Sequence, residues 1–210
     1  MPLPAEDHAY FLELQTRTGW GRTLARFVGW CLPERPARVL DVGTGPALAP
    51  ALAAQRGHWA VGIDSDPEML MQRLHPLVAL AHAEALPFPA GAFDLTLASN
   101  LLYLLSDPLP ALQEMERVTA PGGHVAVLNP SEHMSVAAAQ ALAAARGLEG
   151  LARETLLNLA ARAEANFRWD AAALEALFAR AGLRLTATRT AMRPGLLRWA
   201  LGEVVSPRIA

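Results

Sequence analysis

The stretch "ARVLDVGTGPALAPALAAQRG", residues 37–57, holds three features in succession. "RVLDV" (38–42) is a short apolar run that closes around an acid, Asp41, as in a strand buried on both faces. Gly43 and Gly45 make a sharp turn. Residues 47–56 then read as a helix with Gly57 as its stop. A helix N-terminus beside a glycine turn offers free backbone N–H groups and lets a ligand approach the main chain closely. The stretch therefore predicts one strand of a parallel sheet running into a ligand-binding loop.

The same alternation continues outward. "HWAVGID" (58–64) is a second strand, again ending in an acid, Asp64. "SDPEMLMQRL" begins a helix, with Ser65 or Asp66 as N-cap and Pro67 in the first turn. "LVALAHA" (77–83) is a third strand, "EALPFPAGA" (84–92) a Pro/Gly loop and "FDLTLASN" (93–100) a fourth strand. Asp107 and Pro108 open a helix through "LPALQEMERVT", and Pro121-Gly122-Gly123 turns the chain into a fifth strand, "HVAVLNP" (124–130). Apolar strands alternating with helices at this spacing predict a parallel sheet covered on both faces. Right-handed crossovers put the strand C-termini along one edge, where ligands bind at the point of reversed strand order. Asp41 and Asp64 both fall on that edge.

After Pro130 the pattern changes. Residues 131–166 are Ala/Leu-rich and read as two helices broken near "RGLEG" (146–150). A helix capped by Asp170 and stopped by Gly182 follows, then a strand near 183–190 and a last one within "PGLLRWALGEVV" (194–205). The first 36 residues read as helical, with a bend at "RTGWGR" (17–22). The expected fold is α/β: a Rossmann-like, doubly wound, mostly parallel seven-stranded sheet with an N-terminal helical segment and a helical insertion after strand 5. One domain is expected, in four parts: a helical lid (1–36), a cofactor-binding core (37–130), the insertion (131–166), and a C-terminal helix and strands (167–210).

Composition narrows the function. Hydrophobic residues make up 52% of the 210 and charged residues 18%, ample apolar material for one core. No window approaches the ~18 uninterrupted apolar residues of a membrane span, and "MPLPAEDHAY" lacks a signal-peptide pattern. The formal charge of −2 argues against a strongly electrostatic nucleic-acid binder, and every basic residue apart from histidine is Arg. Cys31, the single cysteine, can form no internal disulfide and reads as a small buried hydrophobe; a cytoplasmic location fits it. The histidines at 8, 58, 75, 82, 124 and 133 lack ligand spacing, so no metal site is expected.

The first loop also selects among cofactors. A nicotinamide dinucleotide site would want G-x-G-x-x-G, but Leu48 stands third after Gly45. Asp41, two residues before the first glycine, would be unwelcome beside a pyrophosphate. It would favour a cation, and S-adenosylmethionine carries a sulfonium, an amine and no phosphate.

Four blocks in order resemble the class I S-adenosylmethionine-dependent methyltransferases, the methyltransferase type 11 group that includes quinone-biosynthesis-type enzymes. They are "VLDVGTGPA", "VGIDSDPEML", "HAEALPFPAGAFDLTLASN" and "LQEMERVTAPGGHVAVLNP", together covering residues 37–130 well and leaving 168–190 a looser likeness. The resemblance implies S-adenosyl-L-methionine as cofactor. It implies that Asp41, Gly43, Thr44 and Gly45 face the methionine part and that Asp64 accepts from both ribose hydroxyls. Ser65 and Met69 would flank the adenine, with His82, Ala83 and Glu84 along its edge. Ser99 and Asn100 would approach the amine or the transferring methyl. Two positions depart from the family. Ala47 stands in place of the last glycine of the first motif, where a methyl is tolerated if φ is negative. His82 stands where an Asp often binds the adenine amine; neutral imidazole can accept that bond.

Methyl transfer from a sulfonium needs alignment above all, so no catalytic triad is expected. If a base acts, His133 is the first candidate and Glu132 the second, both in "NPSEHMS" beyond the fifth strand. The competing reading of that segment is a helix cap made by Ser131 and its followers. Tyr10 and Trp20 are expected to close over the cofactor, and Tyr103 to line the acceptor pocket. The insertion, with Arg146, Arg153 and Arg162 spread along it, is expected to roof the acceptor site. The tail arginines 184, 189, 193, 198 and 208 read as a solvated strand face that could touch an anion. The expected function is methyl transfer to a small, partly hydrophobic acceptor by a monomer or homodimer, without nucleic acid or membrane. The alternative is a catalytically silent module that binds S-adenosylmethionine or S-adenosylhomocysteine as a sensor or partner-binding unit.

Overall fold

The computed structural model describes residues 8–205. Its sheet has seven strands in the order β3-β2-β1-β4-β5-β7-β6. They are β1 (Arg38–Val42), β2 (Trp59–Asp64), β3 (Val78–Leu80), β4 (Phe93–Ser99), β5 (Thr119–Pro130), β6 (Leu183–Ala191) and β7 (Leu197–Val204). All neighbouring pairs from β3 to β5 are parallel, whereas β7 runs antiparallel to both β5 and β6. The sheet is thus mixed, with one reversed strand.

From β1 the chain winds outward to β2 and β3, then returns to β4 and β5 on the other side. The reversal lies between β1 and β4, which are hydrogen-bonded neighbours with Asp41 level with Leu97. β1, β4 and β5 are nearly free of exposed side chains at their centres because helices cover both faces. Leu40, Leu95, Leu97, Leu112, Met115 and Phe178 are fully buried in the resulting core. No described helix is long and apolar enough to cross a membrane.

Eight helices are described: α1 (His8–Arg17), α2 (Gly19–Cys31), α3 (Leu48–Ala54), α4 (Pro67–Met71), α5 (Leu109–Val118), α6 (Val136–Ala145), α7 (Gly150–Ala165) and α8 (Ala171–Arg180). Thr18 caps α2 through the Trp20 N–H and forms the expected bend after α1. The helices then cross tightly: a Cβ on Gly21 would stand 2.0 Å from the Gln15 carbonyl oxygen. Glycine at this point lets α1 lie close against α2 and over the strand edge. Asp66 caps α4 and Asp170 caps α8, both through side-chain acceptors. Ser135, rather than Ser131, caps α6.

Three local expectations are corrected. The third strand shrinks from 77–83 to Val78–Leu80, because it is the sheet edge and pairs only with β2. β5 begins at Thr119, since the Pro-Gly-Gly segment is absorbed as an irregularity in its pairing with β4. Ala47 precedes α3 at φ 62° and ψ 38°, the left-handed region, and not at the negative φ expected of a methyl-bearing residue. Its side chain is fully buried.

Candidate functional site

The C-terminal ends of β1, β2 and β4 converge on a cavity of about 460 Å³, within the usual span for small-ligand sites. Its floor is the loop after β1, with Asp41, Gly43, Thr44 and Gly45. Asp64, Ser65 and Met69 form one side, His82, Ala83 and Glu84 the rim beyond β3, and Ser99 and Asn100 the end of β4. Tyr10 and Trp20 enter from α1 and α2, and Tyr103 from the 3-10 turn Leu102–Leu104. One hollow gathers all of these sequence-derived candidates.

Asp41 is 3% exposed. Its Oδ2 accepts a 2.6 Å hydrogen bond from the Thr44 hydroxyl, while its buried Oδ1 has no partner among the described residues. Burial pushes its carboxyl up to about 7; the Thr44 bond opposes the shift and neighbouring Asp64 adds to it. Thr44 reaches this position because residue 62 is glycine: a Cβ there would stand 2.6 Å from the Thr44 Oγ1. A glycine inside the apolar strand β2 is the sequence trace of that close approach.

Asp64 is held differently. Its Oδ2 accepts from the Gly45 N–H at 2.8 Å and its Oδ1 from the Asp66 N–H at 3.0 Å. Burial raises its carboxyl above the ordinary range, and these backbone bonds counter the rise. Two N–H bonds leave part of a carboxylate's acceptor capacity open. Two further acceptors line the hollow without partners among the described residues: the buried Gln15 Oε1 of α1 and the buried Asn100 Oδ1. Asn100 sits at φ 55°, a left-handed conformation asparagine tolerates, with its N–H bonded to the Leu128 carbonyl at 2.7 Å.

The structure leaves His133 and Glu132 outside this cavity, which corrects their expected place at the cleft mouth. Glu132 accepts from Arg198 Nη2 at 2.6 Å and Nε at 3.3 Å. Burial alone would raise the Glu132 carboxyl, but the Arg198 hydrogen bond and charge, a backbone hydrogen bond and nearby His133 together hold the group below its ordinary range. His133 Nε2 lies 3.4 Å from the Glu132 carboxylate, and its N–H donates to the Ser131 hydroxyl. Ser131 in turn donates to the Gly195 carbonyl at 2.6 Å, so this segment stitches β5 to the turn before β7. The tail arginines follow suit. Arg198 is buried in that ion pair, Arg184 pairs with Glu203, and Arg189 lies over the rings of Trp30 and Trp199. Arg208 lies outside the described residues.

Other lining residues were not singled out from sequence. α1 adds Phe11, Leu14 and Gln15, and α7 adds Glu154, Thr155, Asn158 and Leu159; Arg162 lines it too, whereas Arg146 and Arg153 do not. The Tyr10 hydroxyl donates to Thr155 Oγ1 at 3.0 Å, joining α1 to α7 across the hollow. The alternation of polar and apolar residues along α7 is compatible with many surfaces, so local sequence carried no marker for its cavity face.

Residues 40–127 match the model of the methyltransferase domain family. A demethylmenaquinone methyltransferase from Thermus thermophilus is 36% identical over 113 residues, covering 49% of this chain and 51% of that protein. A chain of the Haloferax volcanii complex between the Trm112 methyltransferase activator and a methyltransferase superposes with a TM-score of 0.70. Its identity is 17%, and the match covers 98% of this chain and 100% of that one. A SAM-dependent methyltransferase from Thermotoga maritima superposes at 0.68, with 17% identity and coverage of 95% and 96%. The chain spans 37–51% of the length of the curated relatives it matches first.

Proposed function

Because the chain belongs to the class I S-adenosylmethionine-dependent methyltransferase family, we propose that it binds S-adenosyl-L-methionine in this cavity and methylates a small, partly apolar acceptor. The observation that carries the reading is a set of three buried acceptor atoms without partners among the described residues, Gln15 Oε1, Asp41 Oδ1 and Asn100 Oδ1, on residues lining one hollow. Leaving such atoms unbonded costs about 1–3 kcal/mol each. An ammonium group supplies three N–H donors and a charge to match Asp41. A phosphate supplies neither.

In this reading Asp41, Gln15 and Asn100 take the amine, with Gly43, Thr44 and Gly45 beneath the methionine part. Asp64, fixed by the Gly45 and Asp66 N–H groups, accepts from the ribose hydroxyls. Ser65, Met69, His82, Ala83 and Glu84 border the adenine, with Ser99 at the methionine end, and Tyr10 and Trp20 cover the site. The cofactor supplies an electrophilic methyl on a sulfonium. The chain's part is to align an acceptor behind that carbon and exclude water, an effect worth up to ~7–11 kcal/mol in favourable cases. Burial raises the Tyr103 hydroxyl to about 12, with nearby Arg162 lowering it and Tyr10 raising it, so it stays protonated at neutral pH and can donate a hydrogen bond to the acceptor. The leucines of the outer wall, Leu101, Leu104, Leu105 and Leu159, support a small, partly apolar acceptor, and a buried unpaired Cys31 accords with the cytoplasm.

Calorimetry with S-adenosylmethionine, S-adenosylhomocysteine and NADH, followed by labelled-methyl transfer to pools of small metabolites, tests the reading. The first two are expected to bind, NADH to fail, and label to appear in a low-mass product. Binding without transfer to any pool would establish the silent-binder alternative. No binding of either nucleoside would end the proposal.

A further inference from the structure

The outer part of the cavity is walled by α7 and by the segment after β4. Leu101, Leu104, Leu105 and Leu159 give it an apolar face, and Arg162 stands among them as its single guanidinium. Among the described residues only three arginines are shielded from full exposure: Arg117, Arg162 and Arg198. Arg117 bonds the Glu114 carboxylate and the Phe88 and Leu86 carbonyls. Arg198 bonds Glu132 and the Trp169 carbonyl. Among the described residues Arg162 has neither: only its main chain is engaged, the carbonyl accepting from Asn166 Nδ2 at 2.9 Å. Glu154, the other charged residue of α7 in the wall, lies two turns away, about 12 Å along the helix axis, and makes no ion pair with it.

Arg162 is only half-buried, yet this chain supplies partners to its other two shielded arginines and none to this one. The hollow itself opens beside Arg162, so its partner is to be sought in what fills the hollow. Its planar fork matches a carboxylate in a two-point contact. The hydroxyl of Tyr103, close enough to feel the charge of Arg162, is a second donor at the same wall. We infer that Arg162 seats a carboxylate of the methyl acceptor, whose apolar body lies on Leu101, Leu104, Leu105 and Leu159. The inference rests on the proposed methyltransferase function and narrows its substrates to small apolar acids. Along the hollow, the carboxylates of Asp41 and Asp64 lie at the strand edge, while the helical wall carries Arg162 and, two turns away, Glu154.

The test is calorimetry on the full chain saturated with S-adenosylhomocysteine, using phenylacetate, benzoate and octanoate beside their primary amides. At least one acid is expected to bind about ten-fold or more tighter than its amide, as a charged hydrogen-bonded pair implies. Arg162→Gln should abolish that preference while S-adenosylhomocysteine affinity stays within about two-fold. Arg162→Lys, which keeps the charge without the fork, should retain part of it. Loss of S-adenosylhomocysteine binding by the unaltered chain would sink the methyltransferase reading itself. Intact nucleoside binding with acids no better than amides, or with a preference that survives Arg162→Gln, overturns the acceptor assignment alone.

Discussion

Asp41 and Glu132 stand at the C-terminal edge of one sheet, near the ends of β1 and β5 on either side of β4, and the fold treats them oppositely. Asp41 is buried with one carboxylate oxygen unpartnered and its proton affinity raised. Glu132 receives two bonds from Arg198, and its proton affinity falls. An acid denied a cation is waiting for one; an acid given a cation is a joint. Under the proposed function, the contrast separates a binding residue from scaffold more sharply than residue type does, since both are carboxylates.

The largest expected effect breaks the comparison at Asp41. Asp41→Asn should weaken S-adenosylmethionine binding by about 2–3 kcal/mol, roughly 30- to 150-fold, through loss of a charge-assisted bond. The pH dependence should change with it. Folding raises the Asp41 pKa from the ordinary ~4 to about 7, so folding favours the protonated form. Its stabilising contribution is present in full below about pH 4 and is lost as pH rises through about 7. The ligand-free melting temperature should therefore fall between about pH 4 and 7. A bound cation favours the carboxylate, so cofactor affinity should climb over that window, by at most about ten-fold per pH unit, and level off above it. Asp64, also raised by burial, contributes with the same sign. Asp41→Asn should flatten most of both profiles. Equal affinity in the variant and the parent, measured by calorimetry, would remove Asp41 from the site.

The second effect is read at Glu132. Glu132→Gln deprives a buried Arg198, whose side chain is 9% exposed, of its counter-charge. Because the Glu132 side chain is itself 31% exposed, the expected loss is about 2 kcal/mol, below the full value for a buried pair. It should appear in chemical denaturation and leave cofactor affinity untouched. A large drop in affinity with stability preserved would return Glu132 to the functional site and erase the contrast.

Sequence reading could separate some of these cases and not others. The loop 41–45 and the acid ending β2 were legible because strand, turn and helix are local patterns, and the switch point follows from alternation of elements. "NPSEHMS" misled because the partner that neutralises Glu132 comes from Arg198, 66 positions along the chain. Only the antiparallel return of β7 beside β5 brings it there, and no local pattern announces that register. Of the cavity faces of α1 and α7, Tyr10 and a roofing helical insertion were legible, but Gln15, Asn158 and their neighbours were not, because which side of a helix meets a hollow depends on packing angle. Gln15 depends on the close crossing at Gly21, a contact between neighbouring helices that composition does not show.

The smallest effect concerns the first loop itself, where Ala47 holds a left-handed conformation and is fully buried. That conformation costs a methyl-bearing residue about 1–2 kcal/mol relative to glycine. Replacing it by glycine forfeits about 0.8 kcal/mol of buried methyl and adds roughly 0.4–1 kcal/mol of unfolded-state freedom. The opposing contributions nearly cancel, so Ala47→Gly should change stability by less than about 1 kcal/mol in either direction. Ala47→Val, branched at the same φ and in the same closed space, should destabilise by more than about 2 kcal/mol. Near-neutrality for glycine would mean that the loop holding Asp41 in place tolerates its missing glycine, and that Ala47 is no mark of a decayed site. A gain of 2 kcal/mol or more for Ala47→Gly would instead show strain stored beside the unpartnered acid, making the Asp41 side of the comparison the stressed one in backbone as well as in charge.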